Sequence, residues 1–176
     1  FMTTDGPESE RTHRTRSGLD GEWEFVTDPE QTGSEEEWYR SDSTWPNWKR
    51  TITVPHAWQE IDDCREYVGT AWYRRTVSVS AETIRNRRAF LVFDAVDYET
   101  SIWVNGEHIG DNTGGFLPFE FEVTGALSPG KNVVCVSVTD PADLSEIPHG
   151  KQGPPWYTRI SGIWQSVRLE FRPSVH

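Results

Sequence analysis

Hydrophobic positions in this chain recur with a period of two over short runs, and each run is closed by residues that turn the backbone. Within residues 21–26, Trp23 and Phe25 share one side; within 50–54, Ile52 and Val54 do, until Pro55, which has no N–H to give a sheet ladder, ends the run. Residues 71–80 and 119–123 read as further strands, 132–138 set Val134, Val136 and Val138 on one face, and 167–171 turn Val167, Leu169 and Phe171 inward against Arg168 and Glu170. Residues 88–94 break the alternation, because Phe90, Leu91, Val92 and Phe93 follow one another. A strand so apolar on both faces is expected to be central in its sheet. Residues 101–104 and 107–109 flank Asn105-Gly106, a pair that tolerates positive φ at both central positions and so predicts a tight hairpin. The count is eight or nine strands. No helical period is sustained beyond two turns, so the pattern predicts an all-β sandwich and excludes helical and α/β classes.

Two stretches stand outside the pattern. Residues 1–17 are polar and aperiodic and are expected to form a disordered tail. Residues 28–49 mix Glu35, Glu36 and Glu37 with Trp38, Trp45 and Trp48, and read as a long excursion with one helical turn whose tryptophans close the edge of the sandwich.

Length and composition narrow the class. A chain of 176 residues suits a single domain that removes roughly two-thirds of its unfolded surface from water. Nine Trp, eight Phe and five Tyr must supply much of its core. The net charge of −11 disfavours nucleic acid and anionic membranes as partners, and no apolar run approaches the ~20 residues of a membrane helix. Lys49, Lys131 and Lys151 are the only lysines. An acidic, lysine-poor surface is expected of a halophilic protein, since salt screens its self-repulsion; an ordinary acidic domain is the alternative. Cys64 and Cys135 are too few for a zinc site, and Cys135, inside an apolar strand, is expected to pack as a small hydrophobe. No cofactor or metal is called for; a calcium ion at the Asp111-Asn112 turn would be the weak exception. With no apolar leader near residue 1, a cytoplasmic location is the expectation.

Three blocks carry more specific information: GTAWYRRTVSV at 69–79, FDAVDYETSIWVNGEHIGDNTGGFLPFEFEVT at 93–124, and GKQGPPWYTRISGIWQSVRLE at 150–170. Together and in order, they resemble the N-terminal sugar-binding domain of glycoside hydrolase family 2, of the β-galactosidase and β-glucuronidase type. The resemblance implies a jelly-roll β-sandwich, galactose-binding-domain-like, over residues 18–173, with 174–176 beginning the link to a further domain. It implies carbohydrate as a partner, and immunoglobulin-like and barrel domains as neighbours in a parent hydrolase. It also places the family's catalytic carboxylates on that barrel, which needs about 250 residues of its own, so no catalytic residue is assigned here.

In family members of this type, the loop before the SGI segment carries an Asp that touches sugar hydroxyls. Aligning through Ser161, Gly162 and Ile163 puts Trp156 at that position, a departure that removes the carboxylate but leaves a flat apolar face and one N–H donor. Trp156 is a candidate substrate-facing residue, with a packed loop anchor as the alternative. Lys151 and Gln152 are candidates to reach hydroxyls or a carboxylate, against simple solvation, while Tyr157 and Arg159 are candidates that could equally brace the fold. Trp164 is expected in the core, and Gly162 at a bend or bulge. Asp94, Asp97, Glu99 and Asp111 are set aside as a glycosidase acid pair, and no GxSxG elbow is present. The expected role is a non-catalytic sugar-binding domain that shapes the substrate cleft and packs on its neighbours. A freestanding carbohydrate-binding module and a purely structural interaction domain are the alternatives.

Overall fold

The computed structural model describes residues 14–143, 145, 147, 151–152 and 157–174. Ten strands form among them: β1 (Thr15–Gly18), β2 (Gly21–Asp28), β3 (Arg50–Val54), β4 (Gly69–Val79), β5 (Arg87–Phe93), β6 (Glu99–Val104), β7 (Glu107–Thr113), β8 (Phe119–Glu122), β9 (Gly130–Asp140) and β10 (Val167–Pro173), with one short helix α1 (Ala81–Ile84) between β4 and β5. They pair into a four-stranded sheet, β1-β10-β5-β8, and a six-stranded sheet, β3-β2-β4-β9-β6-β7. The inward sets read from the sequence meet between the sheets: Trp23, Phe25, Tyr73, Leu91, Phe93, Val134, Val136, Leu169 and Phe171 all belong to one core. The all-β sandwich is the observed architecture.

The strand β5 is central, with β10 on one side and β8 on the other. Its outward Phe90 is roofed by guanidinium groups, Arg172 standing 4.0 Å and Arg88 5.1 Å from the ring centre. These planar cations cover an apolar ring while staying hydrated at their edges, which lets an apolar strand sit at the centre of its sheet. Beside Phe90, the carboxylate of Glu170 is buried under Arg14, Arg16, Arg168 and Arg172. The Asn105-Gly106 hairpin forms as the pair predicts, with φ of 52° and 83° and Val104 opposite Glu107.

Three expectations are corrected. Strand β1 falls inside the stretch that composition assigns to a tail, and it pairs with β10 from Thr15↔Phe171 to Gly18↔Arg168. All four of its residues are exposed, so no hydrophobic pattern marks it; what orders it is the open edge of β10, whose backbone groups need partners. The excursion after β2 runs through turns, with one helical-type hydrogen bond from the Glu36 N–H to the Thr32 carbonyl at 2.8 Å, but it covers a face rather than an edge: Trp38 and Trp45 are buried with Val26, Trp72 and Cys135 in a second cluster that Tyr39 and Trp103 flank. Strand alternation alone cannot reveal this layer, because it makes the outer face of the six-stranded sheet apolar too. Trp164 is only half-buried, since its indole N–H reaches out to the Gly115 carbonyl at 2.9 Å. Cys135 packs as expected, Cys64 is buried as well, and both are free thiols.

Candidate functional site

The ends of β5, β7 and β9 and the starts of β4, β6, β8 and β10 gather at one end of the sandwich, as their registers require: Gly69 opposite Asp140, Glu99 opposite Thr139 and Thr113, and Phe93 opposite Val167 and Phe119. The segments 94–98, 114–118 and 157–166 therefore meet there. Residues 56–58 join them through His56 N–H to the Ile163 carbonyl and Trp58 N–H to the Ser161 carbonyl, both at 3.0 Å.

Asp97 ties these loops together. Its backbone exchanges two hydrogen bonds with Gly162, at 3.0 and 2.7 Å, and the Asp97–Tyr98 peptide is cis. Its buried carboxylate accepts from Gln152 Nε2 at 3.1 Å, while Gln152 Oε1 accepts from the Ile160 N–H at 2.6 Å. The backbone of Gly115 passes so close that an added Cβ would lie 2.6 Å from Asp97 Oδ2. A second knot forms around Asp140, which is buried and accepts from Arg159 Nε at 3.1 Å, from Arg159 Nη2 and from the Ser161 hydroxyl. Gln59 completes it, giving Nε2–H to Ser161 Oγ at 2.6 Å and taking the Ser161 N–H at 3.0 Å. Burial sets the acid–base character beneath this end: it pushes the Tyr73 phenol far above its ordinary value and holds the His56 imidazole below its own.

Of the candidates read from the sequence, Arg159 and Gln152 are braces, each committed to buried partners. Lys151 and Tyr157 lie on the same segment with their side chains exposed, Tyr157 at 68%, and Gln152 and Tyr157 are joined by an isolated parallel bridge. Trp156 lies outside the described residues. The acids set aside as a catalytic pair are engaged elsewhere: Asp94 holds Arg168 at 2.6 Å, and Asp111, on β7 rather than in a turn, holds His108 at 3.0 Å. Among the described residues, no three His, Cys, Asp or Glu side chains converge as metal ligands. Sequence reasoning missed Asp140, Ser161 and Gln59 as a buried set, because their separations in the chain, up to 102 residues, leave no local spacing to read. It also missed the exposed pair Phe116 and Leu117, whose signal was the Gly114-Gly115 step before two apolar residues. The arrangement presents one phenol and one ammonium beside a base of buried hydrogen bonds, groups that can stack on and hydrogen-bond to a ligand.

A two-sheet antiparallel sandwich with most of its long loops braced at one end belongs to the class that presents ligand-contacting loops from a stiff scaffold. Within that class, the family model described as "Glycosyl hydrolases family 2, sugar binding domain" matches residues 16–173, and this chain belongs to that family. It is 26% identical to a β-glucuronidase of Formosa agariphila over 94% of this chain and 18% of that protein. It is 30% identical to a β-glucuronidase of Paenibacillus borealis over 76% of this chain and 22% of that protein. Among solved structures, a β-glucuronidase from an uncultured Clostridium species superposes with a TM-score of 0.79 at 28% identity, covering 99% of this chain and 31% of that one. The Ruminococcus gnavus β-glucuronidase in complex with D-glucaro 1,5-lactone gives 0.78 at 26% identity, covering 92% and 30%. The chain thus spans about a fifth of the length of these curated relatives.

Proposed function

We propose that this domain serves a family 2 glycosidase of β-glucuronidase or β-galactosidase type without contributing a catalytic acid pair. It supports one wall of the substrate cleft through the segment carrying Lys151 and Tyr157, and packs on immunoglobulin-like and barrel neighbours. The observation that carries this reading is the commitment of the loop-end carboxylates: Asp94, Asp97 and Asp140 all hold internal donors, while the exposed groups beside them are a phenol and an ammonium. The exposed Phe116 and Leu117 support the packing part, since apolar loop tips are costly unless a neighbour covers them.

The test is a ¹H–¹⁵N NMR titration of the chain with methyl β-glucuronide and methyl β-galactoside, beside a hydrolysis assay on the matching nitrophenyl glycosides. The expected result is no turnover and no saturable shift at Lys151 or Tyr157 up to about 10 mM ligand, because one wall of a cleft supplies too few contacts for measurable affinity. Turnover would overturn the proposal. Saturable shifts at those residues, lost in Tyr157→Ala, would replace it with a freestanding carbohydrate-binding module.

A further inference from the structure

The tryptophan layer on the outer face of the six-stranded sheet has an order that packing alone does not require. Its rings form one chain of contacts, with Trp45 to Trp38 at 6.3 Å between ring centres, Trp38 to Trp72 at 6.0 Å, Trp72 to Trp103 at 5.3 Å and Trp103 to Tyr39 at 5.2 Å. The last two contacts are stacked. Trp45, Trp38 and Trp72 are buried, whereas Trp103 and Tyr39 are half-buried, so the chain runs from the interior to the surface. Every step lies within the roughly 4.5–7 Å of paired aromatic rings. Electron tunnelling falls off exponentially with distance, so rings in contact let an electron move in short steps across a span it would cross slowly in one.

The groups around the rings set a direction. The indole N–H of Trp38 donates to Glu36 Oε2 at 2.8 Å, and that of Trp72 to Asp28 Oδ2 at 2.9 Å. An indole that has lost an electron is a cation, and a carboxylate beside it stabilises that cation. Trp45 has the opposite surroundings. Its N–H goes to the neutral Trp38 carbonyl at 2.9 Å, and the Arg74 guanidinium, which Glu24 pairs at 2.7 Å, stands 4.5 Å from its ring centre. At the surface end, the Tyr39 phenol donates to Glu37 Oε1 at 3.3 Å. A phenol that gives up an electron releases its proton, and Glu37 stands where that proton leaves. A phenol that can pass its proton to a base is easier to oxidise than an indole, which makes Tyr39 the low point of the chain. The Trp58–Tyr67 pair lacks this last part, since the Tyr67 phenol donates to the Thr70 carbonyl, which does not take up a proton.

We propose that the tryptophan layer is a relay for one-electron oxidation, carrying radicals formed on its indoles out to Tyr39 at the surface. In the final step the Trp103 radical cation takes one electron from Tyr39. The indole is restored, Tyr39 becomes a phenoxyl radical, and the phenol proton passes to Glu37. The initiating oxidant is a one-electron radical, itself reduced to its anion. The test is pulse radiolysis of the full chain with the azide radical, following the visible absorption of the indolyl and phenoxyl radicals. Part of the indolyl signal is expected to convert to phenoxyl in one phase whose rate does not depend on protein concentration. Tyr39→Phe, which keeps the stacked ring and removes the hydroxyl, and Trp103→Leu, which interrupts the chain, are each expected to lower the rate or amplitude of that phase at least about tenfold. Tyr67→Phe and Tyr157→Phe are expected to leave it unchanged. Absence of the phase in the unsubstituted chain, its survival at full rate and amplitude in Tyr39→Phe or Trp103→Leu, or its loss in Tyr67→Phe or Tyr157→Phe would overturn the proposal.

Discussion

Gly162→Ala probes the point where the loop end meets the core. Gly162 has φ of +96°, a conformation that costs an L-residue about 1–3 kcal/mol. An alanine Cβ would also lie inside van der Waals distance of Tyr73 Oη and 3.2 Å from Trp58 Cε3. Both rings are fully buried and cannot step aside, so overpacking adds about 1–3 kcal/mol. The total, about 2–6 kcal/mol, is a large part of the 5–15 kcal/mol typical of a whole domain. Urea unfolding followed by tryptophan fluorescence measures it: with a slope of about 2 kcal/mol/M, a loss of 3 kcal/mol lowers the midpoint by about 1.5 M. The two contributions separate in a double-mutant cycle. Tyr73 Oη is buried with no hydrogen-bond partner among the described residues, so Tyr73→Phe alone is expected to be neutral or stabilising by up to about 1 kcal/mol. In that background Gly162→Ala should keep its backbone cost and lose most of its steric one, giving a coupling of about 1–3 kcal/mol. A single-mutant loss below about 1 kcal/mol, or a coupling of zero, refutes the account of Gly162 as a close-approach position.

Three further outcomes are expected. Glu170→Gln removes the charge that four arginines surround and should cost about 3 kcal/mol in urea unfolding, the low end for a broken buried pair because the guanidiniums are part-exposed. Burial alone would raise the Glu170 pKa, but hydrogen bonds from Arg168 and Arg172 outweigh it and hold the group below its ordinary value, so its stabilisation is present above about pH 4.3 and lost as pH falls through the lowered value; the Gln variant should lack that acid step. His56 shifts downward chiefly through burial, against weaker upward pulls from Ala57 and Glu60, so the unfolded chain takes up its proton first and stability should fall as pH drops below about 6.5; His56→Phe should flatten that slope, and an unchanged slope would refute it. Finally, the −11 net charge predicts that the thermal midpoint rises between about 0.05 and 1 M KCl as the Debye length shortens from roughly 14 to 3 Å; a fall would show that the exposed ion pairs outweigh general repulsion.

The parts of the fold legible in the sequence were those where one side chain's environment depends on its strand neighbours. Alternation in β2, β9 and β10 identified the inner face, and Asn105-Gly106 identified its turn, because those signals are local. Strand β1 was invisible because its ordering comes from the edge it completes rather than from its own residues. The tryptophan layer was visible as composition but not as position: Trp38 and Trp45 could pack on an edge or a face equally well until Trp72, Trp103 and Cys135 were known to make the outer face apolar. At the candidate site, Lys151, Gln152, Tyr157 and Arg159 were legible as a group through their shared segment. Which of them point outward was not, since that is decided by Asp97 and Asp140, tens of residues away in the chain for Asp97 and across a loop for Asp140.

The buried polar residues at the loop end have a common physical cause. A segment that approaches a core without joining a sheet still carries backbone N–H groups that must be satisfied. Residues 160 and 161 meet this need with side-chain amides, Ile160 N–H with Gln152 Oε1 and Ser161 N–H with Gln59 Oε1, while the partner N–H groups of those same amides are taken by Asp97 and Ser161. Each glutamine therefore acts as a surrogate strand, offering one acceptor and one donor where a neighbouring backbone would. Because a glutamine does this from a fixed point, it can pin an irregular loop without imposing the alternation of a sheet. Lys151 and Tyr157 lie exposed on the segment that these buried hydrogen bonds anchor, which is the arrangement the proposed cleft-wall role draws on.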